Sequence, residues 1–195
     1  MLFALPLMKA PISSFLILAF LFFVKVSAIA QPPTRIIAGK VLINDGTMKF
    51  TAAKFRPIVD SLDKVLKVHP TDTISLFYRA LFYSLSNNLM ARPYQKENSA
   101  LDNLIIGKSQ IEKAISLGMS DFKTRVLRAQ IYGDIAYRYT GDESWMFNKK
   151  QIADRKTQYN SFKELANKYY DELAVLDKGN AYDYQKLRIT ANYPL

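Results

Sequence analysis

Residues 71–85, TDTISLFYRALFYSL, carry the pattern that decides the fold. Thr71 and Asp72 are residue types that cap the N-terminus of a helix, and neither glycine nor proline interrupts the rest of the stretch. Its apolar residues fall at helical spacing on two stripes that together cover most of the helix surface. Such a helix must be covered from two directions. The stretch therefore predicts a helix inside a layered all-α fold.

Helical spacing also recurs on both sides of this stretch. Pro57 is expected in the first turn of an earlier helix, and Asn87-Asn88 with Arg92-Pro93 are expected to form a loop. The pattern predicts five further helices: from about residue 56 to His69, from Asn98 or Ser99 to a Gly118 cap, from a Ser120 cap to Gly141, from Ser144 to Leu176, and from an Asn180 cap to near Ala191.

The long helix at 144–176 carries a seam of heptad type. Its repeating positions are Ile152, Tyr159, Ala166 and Leu173, interleaved with Phe162, Tyr169 and Leu176. We expect this seam to pack antiparallel along the preceding helix, which favours a monomer. The alternative is a dimer or a larger structural assembly that forms through the same seam.

Residues 1–30 have the three parts of a secretory signal. Lys9 precedes an apolar run at 15–24, and Ala28 and Ala30 are the small residues before Gln31, the expected first mature residue. The run is too short to span about 30 Å of hydrocarbon as a helix. We expect an exported bacterial protein, periplasmic or extracellular, with no membrane span after cleavage. An uncleaved anchor is the alternative, and a lipoprotein is excluded because no cysteine follows.

Residues 31–54 are expected to form an N-terminal arm before the helical domain at 55–195. Apolar residues flank Gly39-Lys40, and Asn44-Asp45-Gly46 is a strong turn signal. A short β-hairpin or an extended arm at 36–50 would fit this pattern equally well.

Composition excludes several classes of function. The chain has no cysteine and one histidine, His69, which precedes a helix-ending proline, so we predict no catalytic residue, no metal site and no cofactor. The formal net charge is +10. In an exported protein this charge favours contact with an anionic envelope surface or an acidic protein, and we expect no nucleic-acid partner.

An internal repeat is visible in the helical region. Arg79-Ala80-x-x-Tyr83 recurs as Arg128-Ala129-x-x-Tyr132, 49 residues later. In this pattern a small residue in the first helix of a pair is followed three places on by an aromatic residue, and Gly107 and Ala114 supply small residues in a second helix. These features resemble the tetratricopeptide repeat, although its repeats are shorter.

The resemblance implies stacked antiparallel helical hairpins that form an α-α superhelix with a concave groove. It also implies a non-enzymatic module that binds an unidentified envelope protein or peptide. If the family geometry carries over, the groove-facing positions are Phe77, Leu81, Lys123, Val126, Gln130, Asp134 and Gln185. An unrecognised enzyme on a helical scaffold is a further alternative.

Overall fold

A computed structural model describes residues 32–44, 52–90, 98–140 and 147–193, without the side chains of 52–55, 87–90 and 98–99. Contacts divide the chain into Met1–Ala30 and Gln31–Leu195, and every described residue belongs to the second unit. The predicted signal segment, with Ala28, Ala30 and Gln31, lies outside the described residues. Within the described ranges, no helix combines the length and the apolar character needed to cross a membrane.

The described part of the chain is mostly helical and contains one small antiparallel sheet. In chain order its elements are β1 (Thr34–Ile37), β2 (Lys40–Ile43), α1 (Ala52–Val68), α2 (Thr73–Met90), α3 (Asn98–Ser116), α4 (Phe122–Arg138), α5 (Lys149–Leu176), a 3-10 turn (Lys178–Asn180) and α6 (Ala181–Lys186). The predicted all-α class holds, with a short hairpin in addition.

Local hydrogen bonds explain most helix ends. The Asp72 carboxylate accepts a hydrogen bond from the backbone N–H of Ser75 at 3.1 Å, which caps α2. Gly118 has a φ of +96° at the end of α3, and the Gly118 and Met119 amides donate back to the last turn of that helix. Both caps were predicted from the sequence.

Several predicted boundaries are corrected. Pro57 lies inside α1, because this helix already begins at Ala52. Asn87-Asn88 belong to α2 and do not form a loop. Asp121, and not Ser120, caps α4, because the helix begins at Phe122 and the Asp121 carboxylate accepts from the Thr124 amide at 3.1 Å.

The last two helices also differ from the prediction at their ends. A capping box formed by Asn148 and Gln151 starts α5 at Lys149, later than the expected Ser144. Helix α6 ends at Lys186, before the expected Ala191. The Asn180 side chain does not cap α6, because it donates to the Asp177 carboxylate.

Helix α5 packs antiparallel along α4, as predicted. Arg128, near the start of α4, lies over the Tyr169 ring in the second half of α5, at 4.1 Å. Arg155, near the start of α5, donates to the Arg138 carbonyl at the end of α4. Most of the heptad seam is buried in this contact within one chain: Tyr159, Phe162, Ala166, Tyr169 and Leu173.

An ion pair between consecutive helices recurs along the chain. Asp63 on α1 binds Arg79 on α2 at 2.6 Å, and Glu112 on α3 binds Arg128 on α4 at 2.7 Å. Both members of the second pair lie 49 residues after those of the first, so the sequence repeat is also a repeat of contacts. A more exposed pair, Asp171 with Arg188 at 3.2 Å, follows the same pattern beyond α5.

Small residues lie where the helices approach most closely. Ala80, Ala114 and Ala129 are fully buried. A Cβ added at Gly107 would lie 3.3 Å from the Tyr83 Cβ and 3.5 Å from the Ala80 carbonyl. Gly107 therefore lets α3 pack close to α2, in agreement with the role that the sequence predicted for this set of residues.

The N-terminal arm is a β-hairpin, and its turn is at Ala38-Gly39 rather than at residues 44–46. Both turn residues have positive φ, +46° and +73°, which is the geometry of a two-residue hairpin loop. The paired strands cover 34–43, a shorter range than the expected 36–50, with Ile36 opposite Val41. Asp45-Gly46 lie outside the described residues.

Candidate functional site: a filled inner face and an open turn edge

The β-hairpin lies across one face of the helices, which we call the inner face: the side of α1, α2, α4 and α6 that contacts residues 32–44. Val41 is fully buried in the main hydrophobic cluster with α2 and α4. Ile43 packs against Leu62 and Phe82. At the opposite end of the hairpin, a Cβ on Gly39 would lie 2.8 Å from a methyl carbon of Leu187, just beyond α6. The hairpin therefore extends over all four helices.

Helix side chains hold the backbone of the hairpin by hydrogen bonds. The Val41 N–H donates to Gln130 Oε1 at 3.0 Å in a buried position. Lys123 Nζ donates to the Thr34 carbonyl at 2.8 Å, and the Tyr78 hydroxyl donates to the Pro32 carbonyl at 2.9 Å. The inner face thus binds extended backbone, and its occupant in this structure is the chain's own N-terminal segment.

A buried polar chain continues from the hairpin into the helices. Gln130 Nε2 donates to Ser84 Oγ at 3.1 Å, and Ser84 Oγ donates to Asp134 Oδ2 at 2.9 Å. Gln130 and Ser84 are 1% and 0% exposed. These linked hydrogen bonds satisfy buried polar groups on three elements at once. They therefore fix the position of the hairpin relative to α2 and α4.

These contacts correct the prediction of an open groove. Phe77, Leu81, Val126 and Gln130 are buried in the helix core or under the hairpin. Lys123 and Asp134 are half-buried and engaged in the hydrogen bonds given above. Gln185 is exposed on α6. The structure gathers most of the predicted positions on one side of the helices, but β1 and β2 fill the space that a partner was expected to occupy.

Unlike the covered inner face, the ends of the helices carry exposed apolar side chains. The C-terminal ends of α1 and α3 line one pocket, and those of α3 and α5 line another, so the three C-termini lie along one edge, which we call the turn edge. Each of these helices ends in an exposed apolar side chain there: Val68 is 69% exposed, Leu117 is 42% exposed and Leu176 is 57% exposed. One such residue is ordinary on a protein surface, whereas three at equivalent helix ends form a patterned surface.

One pocket on the turn edge, the apolar pocket, lies between α3, α4 and α5. Its volume is about 210 Å³, and its walls include Ile115, Met119, Leu173 and Leu176. Arg125 stands at its rim and donates to the Ser120 carbonyl at 3.3 Å. The pocket opens toward a wider groove that Arg125 and Leu176 share with Val175 and Arg188.

A second pocket, the basic pocket, occupies the equivalent place one repeat earlier, between α1, α2 and α3. Its volume is about 430 Å³, and it is lined by Lys67, Pro70, Gln110 and Lys113 together with the Asp63–Arg79 ion pair. Gln110 Oε1 is buried and has no hydrogen-bond partner among the described residues. This pocket thus offers positive charge and one unused acceptor.

The polar cluster beside the apolar pocket is a closed set of mutual contacts. Glu112 accepts two hydrogen bonds from Arg128, at 2.7 and 2.8 Å, and a third from the Tyr132 hydroxyl at 2.9 Å. Burial first, and then the hydrogen bond and charge of Glu112, raise the pKa of Tyr132 above its ordinary value. No group of three or more His, Cys, Asp and Glu residues suited to a metal ion occurs in the described ranges.

Sequence reasoning missed the turn edge, although a signal for it exists. Val68 and Leu117 are separated by the same 49 residues as the two ion pairs, and each directly follows or ends its helix, before the turn to the next one. An apolar residue that recurs at the exposed end of a repeat indicates a surface function more than a core position. The repeat was applied to the buried alanine and tyrosine positions and not to the helix ends.

The chain matches no protein-family model, and no curated protein or solved structure is significantly similar to it. Any function must therefore be argued from the inner face and the turn edge themselves.

Proposed function

We propose that this protein is a non-enzymatic interaction module of the bacterial envelope and that it binds a partner protein through its turn edge. The observation that carries the proposal is the exposure of apolar side chains at each of three equivalent helix ends: Val68, Leu117, and Leu176 with its neighbour Val175. Two pockets lie between these positions. Exposed apolar groups beside concave, partly charged pockets are typical of binding surfaces.

The wider architecture supports the same function. Helical hairpins related by a 49-residue repeat, with an ion pair at the same place in each, are similar to tetratricopeptide-like repeats, which bind partners without chemistry. The proposal includes export by the N-terminal segment and action as a monomer, since the heptad seam is buried within one chain. The positive net charge would favour approach to an anionic envelope surface.

Site-specific photo-crosslinking in the native bacterium tests this proposal. A photoreactive amino acid at Leu117, on the turn edge, should give a discrete adduct with one protein, identified by mass spectrometry. The matched control is the same amino acid at Tyr137, which is 51% exposed near the C-terminus of α4. The Leu117 adduct should disappear when Leu176 is changed to Ser. Equal adducts at both positions, or none at Leu117, would contradict the proposal.

A further inference from the structure

We propose that the basic pocket and the apolar pocket together form one bipartite site for an extended acidic peptide segment that carries a leucine-sized apolar side chain. The inference rests on the proposed function and specifies the chemistry of its partner. The occupant is a segment of another protein, and three properties of the edge indicate its chemistry: the placement of the pockets, their charge and one buried acceptor without a donor.

The two pockets are close enough for one short segment to reach both. They lie on opposite sides of α3, with Lys113 in the basic pocket and Ile115 in the apolar pocket. A helix with its side chains is about 10 Å across. An extended chain advances about 3.3 Å per residue, so side chains about three positions apart on a ligand would enter the two pockets.

Charge favours an acidic ligand at the first pocket. Lys67 and Lys113 are exposed, and neither has a carboxylate within 4 Å in the part of the chain that the structure describes. The third cation there, Arg79, is already neutralised by Asp63 at 2.6 Å. Both lysines line the same pocket, so a ligand carboxylate bound there would be attracted to two uncompensated ammonium groups.

The unused acceptor favours a peptide over a simple anion. Gln110 Oε1 is buried at the basic pocket and lacks a donor among the described residues. A buried amide oxygen without a donor is destabilising, and the phosphate oxygens of an ionised phosphodiester supply none. Once the Gln110 side chain rotates to expose this oxygen, a backbone N–H of an extended peptide supplies the donor, while the acidic side chain of the peptide binds the lysines.

The apolar pocket selects the second side chain. Its volume is about 210 Å³, a space suited to a branched aliphatic side chain rather than a whole lipid tail. Ile115, Met119, Leu173 and Leu176 form its apolar walls. Arg128 and Glu172 also line it, and Glu172 lies 4.0 Å from Lys168. Arg125 at the rim has no carboxylate within 4 Å in the described ranges and can bind an acidic residue that flanks the apolar one.

Fluorescence anisotropy with the purified full chain tests the site. The probe is the labelled heptapeptide EDSLSDE, in which acidic residues stand three positions from leucine on both sides, so that peptide direction does not matter. Changing Lys67 and Lys113 together to Glu should weaken binding by about tenfold or more, because an attraction becomes a repulsion. The matched control changes Lys150 and Lys156 together to Glu, which reverses the same number of exposed lysines in the first half of α5, and it should change binding less than about twofold.

Two further probes test the apolar pocket and the class of ligand separately. The peptide EDSSSDE should bind about tenfold more weakly than EDSLSDE, since its serine cannot fill the apolar pocket. Vesicles that contain anionic phosphatidylglycerol should not displace EDSLSDE at low millimolar lipid. Equal binding of both peptides, equal effects of the pocket and control charge reversals, or displacement by vesicles would each overturn the inference.

The crosslinking at Leu117 distinguishes failure of this inference from failure of the proposed function. If the Leu117 adduct forms while EDSLSDE fails to bind, the turn edge binds a partner but not through an acidic segment with leucine. If neither occurs, the function proposed for the edge is itself contradicted.

Discussion

Gln130 shows how one side chain can turn a helix surface into a binding site for backbone. Its amide oxygen accepts from the Val41 N–H, and its amide nitrogen donates to Ser84, so both ends of a buried amide are used. A leucine would fill the same space on an amphipathic helix and leave the Val41 N–H unpaired. Gln130 on α4 therefore orients the hairpin.

The first prediction follows from this residue. Gln130→Leu should lower the free energy of unfolding by about 2 kcal/mol, because it leaves the buried Val41 N–H without an acceptor. Chemical denaturation of the purified chain measures the change. Gln185→Leu, at an exposed position also predicted to face a groove, should change the free energy by less than about 0.5 kcal/mol. Equal effects would mean that the Val41 contact contributes nothing.

For single residues, the sequence predicted the roles that depend only on neighbouring positions in the chain. Asp72 and Gly118 were identified as caps because a cap depends on a few neighbouring positions. Ala80 and Ala129 were placed in helix contacts because their spacing repeats. Gln130 was expected to face a partner, since nothing in its neighbourhood reveals that Val41, 89 residues earlier in the chain, occupies that place.

The elements are joined by the recurring ion pair, and its three copies differ in burial. Arg128 makes a bidentate contact with Glu112 and lies 4.1 Å from the centre of the Tyr169 ring, with 28% of its side chain exposed. Arg79 is less exposed, but its partner Asp63 is half-exposed. Arg188 and Asp171 are both about half-exposed. Shielding from water strengthens such contacts, so the copies should not contribute equally.

Replacing each arginine by Met, which keeps much of the aliphatic stem, should reveal this order. Arg128→Met should cost about 2 kcal/mol, since it removes two charge-assisted hydrogen bonds and a cation–π contact. Arg188→Met should cost less than about 0.5 kcal/mol. Arg79→Met should fall between them. Denaturant midpoints of the three variants measure the order, and a cost at Arg188 equal to that at Arg128 would refute it.

The helices themselves were predictable because helical spacing is a property of contiguous residues. All six appear in the structure, with errors at their ends where capping depends on a single side chain, as at Asp121 and Asn148. Pro57 was misplaced because a first-turn position is the usual one, whereas α1 tolerates it in its interior. The hairpin was one of two readings, since four-residue strands give little periodic signal.

For the whole molecule, the N-terminal hairpin decides which surfaces remain for a partner. It covers the inner face from Leu62 and Phe82 to Leu187, and the turn edge keeps its exposed apolar residues. The sequence could not predict this arrangement, because docking of the hairpin depends on contacts between residues distant in the chain. A family resemblance assigned the groove to a partner, and the chain itself fills it.

The exchange rate of the Val41 backbone amide with solvent tests the central claim most directly. If the hairpin is docked, this amide is fully buried and bonded to Gln130, and NMR should show it exchanging as slowly as the core amides of α4. The Leu42 amide would not serve, because it pairs within the hairpin whether or not the hairpin is docked. A Val41 amide that exchanges as fast as an exposed one would contradict the account, because the inner face would then be open for a partner to bind.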